Sequence, residues 1–122
     1  MIIWQGREVS ALAHAWHLPQ LLIFDDAGST NDIARTLAAT GAPAGSLVMA
    51  EHQSAGRGRL GRAWTAPKES ALLFSTVLRP AACEQAAPGG LPLRIGLAVA
   101  RAVRAVTGAR LHVKWPNDLV TT

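Results

Sequence analysis

The stretch Glu51–Glu69, EHQSAGRGRLGRAWTAPKE, decides how the chain is read. Gly56, Gly58 and Gly61 spell G-x-G-x-x-G, the spacing of a dinucleotide-binding turn, but Arg57, Arg59 and Arg62 are threaded among them. A dinucleotide turn needs a helix that opens directly on the glycines, and an acidic residue about twenty positions further on. Here Trp64, Thr65 and Pro67 stand where the helix should start, and Ser75-Thr76-Val77 where the acidic residue should be. The Rossmann reading fails on both counts. What remains is a glycine-rich loop carrying arginine forks. Such forks match carboxylate and phosphate oxygens, and glycine lets backbone N–H groups approach the same oxygens. Like charges this close repel one another, and the glycines add backbone freedom. The loop is therefore expected to be mobile until an anion arrives. A solvated basic turn without a ligand is the plainer alternative.

Composition narrows the partners. A chain of 122 residues is one domain or part of one, and its 49% hydrophobic content is ample for a packed core. The net charge of +4 suits anionic small molecules at least as well as nucleic acid. Single-strand binders interleave basic residues with aromatic platforms, yet the chain has no Tyr, and Phe24 and Phe74 fall inside apolar runs and are expected in the core. Only Trp64 sits in the basic loop, so a nucleic-acid-binding module stays as a rival reading and no nucleic-acid partner is expected. The lone Cys83 excludes an internal disulfide framework and a cysteine-based zinc site, and a free thiol is expected. No apolar run approaches the roughly 18 to 20 residues of a membrane helix, and the start, MIIWQGREVS, lacks the pattern of a signal peptide. A cytoplasmic protein without a membrane partner is the expectation.

Patterning predicts a helix over 8–18 stopped by Pro19, and a buried strand over 21–26, LLIFDD. Ser29 follows as an N-cap with Asp32 in a capping-box-like position; Ile33, Ala34, Leu37 and Ala38 share a face and Gly41 supplies the stop. Strands are predicted over 46–51, 71–78 and 110–115, a loop over 81–90 and a helix over 91–107. In that helix Ile95, Val99, Ala102, Val103 and Val106 share a face, with Arg101 and Arg104 on a solvated flank. Pro116-Asn117-Asp118 makes a turn, and Leu119-Val120 opens a partner strand. The fold class is α+β, a mixed α/β domain. A sheet edge left so soon after a turn suggests a truncated domain.

Three motifs now line up: GSTN at 28–31, QSAGRGRLGRAW at 53–64 and KWPNDL at 114–119. In order and spacing they resemble biotin protein ligases, over about residues 20–120. The resemblance implies a biotin/lipoate ligase-like catalytic domain related to class II aminoacyl-tRNA synthetases, with a central mixed sheet and flanking helices. It implies formation of biotinyl-5′-AMP from biotin and ATP with magnesium, then transfer of biotin to a lysine of a biotin carboxyl carrier protein.

Residue by residue, the resemblance gives Ser29, Thr30 and Asn31 to the biotin ureido ring and Gln53 to the biotin head group. Gly56, Arg57, Gly58 and Arg59 become the loop over biotin and the phosphates. Arg59 is the first choice, and Arg57 the second, for bridging carboxylate and phosphate. Trp64 packs near adenine, and Asn117 and Asp118 lie on the nucleotide side, Asp118 with an indirect magnesium contact. The plainer alternatives are N-capping for Ser29, a loop polar residue for Gln53 and a hydrophobic anchor for Trp64. Lys114 is assigned a phosphate-side or structural role, and Lys68 is left open. The family's further lysine, on the strand after the P-N-D turn, has no counterpart, and neither its C-terminal barrel nor an N-terminal DNA-binding region is matched. Residues 1–122 are therefore expected to be a partial catalytic domain, weakly active or inactive alone. A non-catalytic biotin or adenylate binder is the other reading.

Overall fold

In the computed structural model, which describes residues 1–85 and 90–121, the chain gathers into two units, Met1–Arg79 and Pro80–Thr122. The first opens with β1 (Ile3–Trp4) and β2 (Arg7–Glu8), a short antiparallel pair, and α1 (Val9–Ala15). Then come β3 (Leu21–Ala27), α2 (Thr30–Ala39), β4 (Leu47–Gln53) and β5 (Leu73–Thr76). β4 is central. It runs parallel to β3 and antiparallel to β5, which gives the mixed sheet that the resemblance implies. A parallel pair needs a crossover, and α2 supplies it.

Alternation along the strands assigns each helix a face of the sheet. Leu21, Ile23 and Met49 pack with Val9 and Leu12 of α1. Val48 and Val77 pack with Ala34 of α2, joined by Phe24, Ile33, Leu37 and Ala38. The parallel register ends with Asp26 opposite His52 and Ala27 opposite Gln53. The strand ends leading into the S-T-N and Q-S-A-G-R-G-R motifs therefore meet at one end of the sheet.

α2 is capped at both ends. Ser29 is extended (φ −153°, ψ 127°) and its Oγ accepts from the Asp32 N–H, as the N-cap reading predicts. At the other end Gly41 takes φ +95°, its N–H donates to Ala38 O, and the Ala42 N–H donates to Leu37 O. This is a Schellman closure, for which glycine is the residue without a steric penalty. The Arg79 guanidinium adds to it, donating to Ala38 O at 2.9 Å and to Ala42 O at 2.6 Å. Replacing Arg79 with alanine removes a charge-assisted cap and is expected to cost about 1 kcal/mol, read as a lowered midpoint in urea unfolding.

Three expectations need correction. The first helix ends at Ala15, not at residue 18, because His17 takes φ +56° and the Leu18 N–H turns back to Ala13 O. Phe74 is 52% exposed rather than in the core. It sits opposite Met49 on the edge strand, on the α1 face of the sheet, and α1 packs chiefly over β3. The loop predicted over 81–90 contains α3 (Ala82–Gln85); residues 86–89 lie outside the described residues.

The second unit holds α4 (Gly90–Thr107) and the antiparallel hairpin of β6 (His112–Lys114) with β7 (Asp118–Val120). The predicted turn and partner strand are present. No residue of α4 is buried, so its predicted apolar face, Ile95 and Val99 included, stands half open to solvent.

Candidate functional site

The end of the sheet where β3 and β4 finish is built from three pieces. The start of α2 brings Ser29 and Thr30, which are only 5% and 4% exposed. Such burial of hydroxyls at a helix start calls for partners. The Thr30 backbone N–H, one of the donors a helix start leaves unpaired, donates to Gln53 Oε1 at 2.8 Å. The Thr30 hydroxyl bonds the same Oε1 at 3.0 Å and Ser75 Oγ on β5 at 2.9 Å. Because a backbone N–H can only donate, Gln53 must face Thr30 with its carbonyl oxygen. Its NH₂ is thereby turned away from Thr30, with no hydrogen bond among the described residues.

The third piece is the glycine–arginine loop, which forms a narrow hairpin. The Trp64 N–H donates to Gly56 O at 2.9 Å, the Gly58 N–H donates to Arg62 O at 2.7 Å, and Arg57 bridges Ala63. Its tip is a 3₁₀ turn at Arg59–Gly61, with Leu60 in the left-handed region at φ 58° and 89% exposed. Gly56 is buried under Trp64, and a Cβ there would strike the Trp64 carbonyl oxygen. The contact, not the backbone dihedral, demands glycine at this position.

Charge repulsion alone omits Asp32. This residue, which the capping-box pattern explains only as a helix start, takes the Arg57 fork on both oxygens at 2.8 and 2.5 Å. Arg59 and Arg62 make no ion pair among the described residues. The Arg57 hydrogen bond, opposed by desolvation and aided by the Arg57 and Arg35 charges, holds the Asp32 carboxyl below its ordinary 3.8. A depressed carboxyl contributes its ion pair above the ordinary carboxylate range, and the contribution is lost as pH falls through the lowered value. A carboxyl-carbon titration by NMR is expected to place the Asp32 midpoint below 3.8, and Arg57→Ala to move it back up.

The pieces enclose a cleft of about 320 Å³, lined by Ser29, Thr30, Asn31, Gln53, Arg57, Trp64 and Ser75, with Leu72, Leu73 and Phe74 as its apolar wall. Six of the positions that the sequence singles out thus share one cleft. Gly56 and Gly58 shape the hairpin beside it. Arg59 stands at the hairpin tip and is not among the lining residues. Sequence reading missed Asp32, Ser75 and Phe74. Ser75 carried a signal, being a polar residue within the apolar run ALLFSTVL. A larger hollow, about 560 Å³, lies between Trp4, Met49, Glu51 and residues 69–73. It contains none of the motif residues, and Glu51 there already accepts from the Trp4 indole.

Lys68 is tied to Asp25 at 3.4 Å and Asp26 at 3.5 Å, and Asp26 also meets His52 Nδ1 at 3.0 Å. The Asp25 hydrogen bond leads the causes that raise the Lys68 pKa. The network fixes the chain after the loop to the ends of β3 and β4, a structural use for Lys68. In the second unit, Asn117 ends the hairpin turn and Asp118 opens β7, directly opposite Lys114.

The Biotin/lipoate A/B protein ligase family matches residues 25–122. The bifunctional ligase/repressor BirA of Bacillus spizizenii is 39% identical over 102 residues, 83% of this chain and 31% of that protein. The biotin–[acetyl-CoA-carboxylase] ligase of Mycobacterium tuberculosis is 41% identical over 105 residues, 83% of this chain and 40% of that protein. Among solved structures, biotin protein ligase from Leishmania major in complex with biotinyl-5-AMP matches with a TM-score of 0.70 and 35% identity, over 84% of this chain and 47% of that one. Biotin protein ligase from Aquifex aeolicus in complex with biotin and ATP gives 0.71 and 32%, over 86% and 43%. The chain thus spans from 31% to 47% of the length of these relatives. With the S-T-N, G-R-G-R-x-G-R and W-P-N-D motifs inside the matched residues, the chain belongs to the biotin/lipoate A/B protein ligase family.

Proposed function

We propose that the protein makes biotinyl-5′-AMP from biotin and ATP and passes the biotinyl group to a lysine of a biotin carboxyl carrier protein. The observation that carries this reading is the Thr30–Gln53–Ser75 network, set beside Arg57 in one cleft. A cyclic urea offers one carbonyl acceptor and two N–H donors. The Gln53 NH₂ and the hydroxyls of Ser29, Thr30 and Ser75, with the Asn31 amide, supply the complementary set. Leu72, Leu73 and Phe74 offer an apolar wall for the sulfur ring and its chain.

In the first step a biotin carboxylate oxygen attacks the α-phosphorus of ATP and pyrophosphate leaves. Two anions must come together, and arginine forks lower that repulsion while stabilising charge in the transition state. Arg57 lines the cleft; Arg59 reaches the reacting oxygens when the hairpin closes. That closure excludes water from the mixed anhydride. In the second step the lysine amine of the carrier attacks the acyl carbon, an amide forms, and AMP leaves.

Trp64 packs near the adenine, and Asn117 and Asp118 serve the nucleotide side, with Lys114 in a phosphate-side or structural role. The described residues contain no group of three His, Cys, Asp or Glu suited to a metal. Magnesium enters the reading as part of the nucleotide substrate, with Asp118 offering a carboxylate to its water shell. A cytoplasmic site of action, where ATP is supplied, is part of the same proposal. The test is biotin-dependent exchange of labelled pyrophosphate into ATP by the product of the complete reading frame, followed by biotin incorporation into a carrier domain. Exchange without biotin, or none with it, would refute the reading; tight biotin binding without exchange would point to a non-catalytic binder.

A further inference from the structure

One ion pair at the edge of the cleft, with Arg57 among the lining residues and Asp32 outside them, has no structural task that explains it. Asp32 sits in the first turn of α2, and both of its carboxylate oxygens are taken by the terminal nitrogens of Arg57. The two side chains are 50% and 48% exposed, and a pair so open to water contributes little to stability. Its geometry is specific all the same. A guanidinium carries five N–H donors in a rigid plane. The end-on pairing uses one hydrogen on each terminal nitrogen and leaves the Nε–H and the outer hydrogens unspent, with no further side-chain hydrogen bond of Arg57 among the described residues. Arg57 is flanked by Gly56 and Gly58, which offer its side chain little to lean on. Asp32, by contrast, is fixed on the helix whose start also presents Ser29 and Thr30 to the cleft.

We propose that Asp32 is a positioning residue for Arg57, an inference that rests on the adenylation reading. Asp32 holds the terminal nitrogens, so the guanidinium keeps one orientation in the cleft and its free edge meets the carboxylate and α-phosphate oxygens of the adenylate. Asp32 does not touch the substrate. Its effect passes through Arg57 alone.

The test has two readouts on the product of the complete reading frame. Without ligand, NMR of the Arg57 side chain is expected to show slow rotation about the Nε–Cζ bond, and Asp32→Ala to make it fast. With a non-hydrolysable biotinyl-adenylate, Asp32→Ala is expected to weaken binding about tenfold when Arg57 is present and less than about twofold in an Arg57→Ala background. Asp32→Glu should recover part of the loss. An equal loss in both backgrounds would mean that Asp32 serves only the helix start and would overturn the proposal. Tighter binding by Asp32→Ala would also overturn it, since Asp32 would then compete with the ligand for Arg57. Fast rotation in the unsubstituted protein would remove the clamp itself. If that protein binds no adenylate while rotation stays slow, the adenylation reading fails and the clamp survives without its proposed task.

Discussion

Arg59→Ala is expected to lower adenylate formation about 30- to 1,000-fold, the equivalent of roughly 2 to 4 kcal/mol for losing a charge-assisted contact to a buried oxyanion. The reason lies in how the arginines are used. Arg57 is held in one orientation by Asp32 and can serve the reacting oxygens only from there, whereas Arg59 stands in the turn at the hairpin tip, with Gly58 and Gly61 on either side. It has charge to spare and a short glycine-flanked arc through which to move. Bridging the biotin carboxylate and the α-phosphate asks for that combination. Arg62→Ala should cost much less, because Arg62 holds the hairpin through its carbonyl oxygen, which alanine retains. Single-turnover formation of biotinyl-adenylate measures both variants. Unchanged rates for Arg59→Ala would assign the chemistry to another residue.

Gly56→Ala is expected to be as damaging for a different reason. The added Cβ meets the Trp64 carbonyl oxygen, a backbone atom that cannot rotate away, and comes within 2.9 Å of Gln53 Nε2. Overpacking of this kind typically costs about 1 to 3 kcal/mol. Here it opens the hairpin at its base and turns the Gln53 amide that Thr30 holds. Displacing a binding group by about 1 Å can cost on the order of 100-fold. Calorimetric titration with biotinyl-adenylate should show a loss of that size, while circular dichroism stays close to the parent. Parent-like affinity would mean that the hairpin base plays no part in the cleft.

Much of the frame was legible because it is local. The run LLIFDD, the Ser29 cap, the apolar face from Ile33 to Ala38 and the Gly41 stop all lie within a few residues of what they determine. The glycine–arginine stretch was legible as a loop, since its glycines are contiguous with the turn they make. What escaped was non-local. Nothing in the sequence ties Asp32 to Arg57, Ser75 to Thr30, or Lys68 to Asp25 and Asp26. Those contacts exist only after β3, β4 and β5 pair in their register. Phe74 looked like core because its run is apolar, but an edge strand with one face beyond the reach of α1 leaves it exposed. The one-turn helix at Ala82–Gln85 is too short for periodicity to reveal.

The most direct measurement is a calorimetric comparison of biotinyl-5′-adenylate with lipoyl-5′-adenylate on the product of the complete reading frame. The two share the nucleotide and the acyl phosphate, and differ in whether a urea is present for Gln53, Thr30 and Ser75 to engage. A site built around such hydrogen bonds leaves its polar groups unpaired when the urea is missing, so biotinyl-adenylate is expected to bind more tightly by over about 100-fold. Equal or tighter binding of lipoyl-adenylate would contradict the assignment of the cleft to biotin.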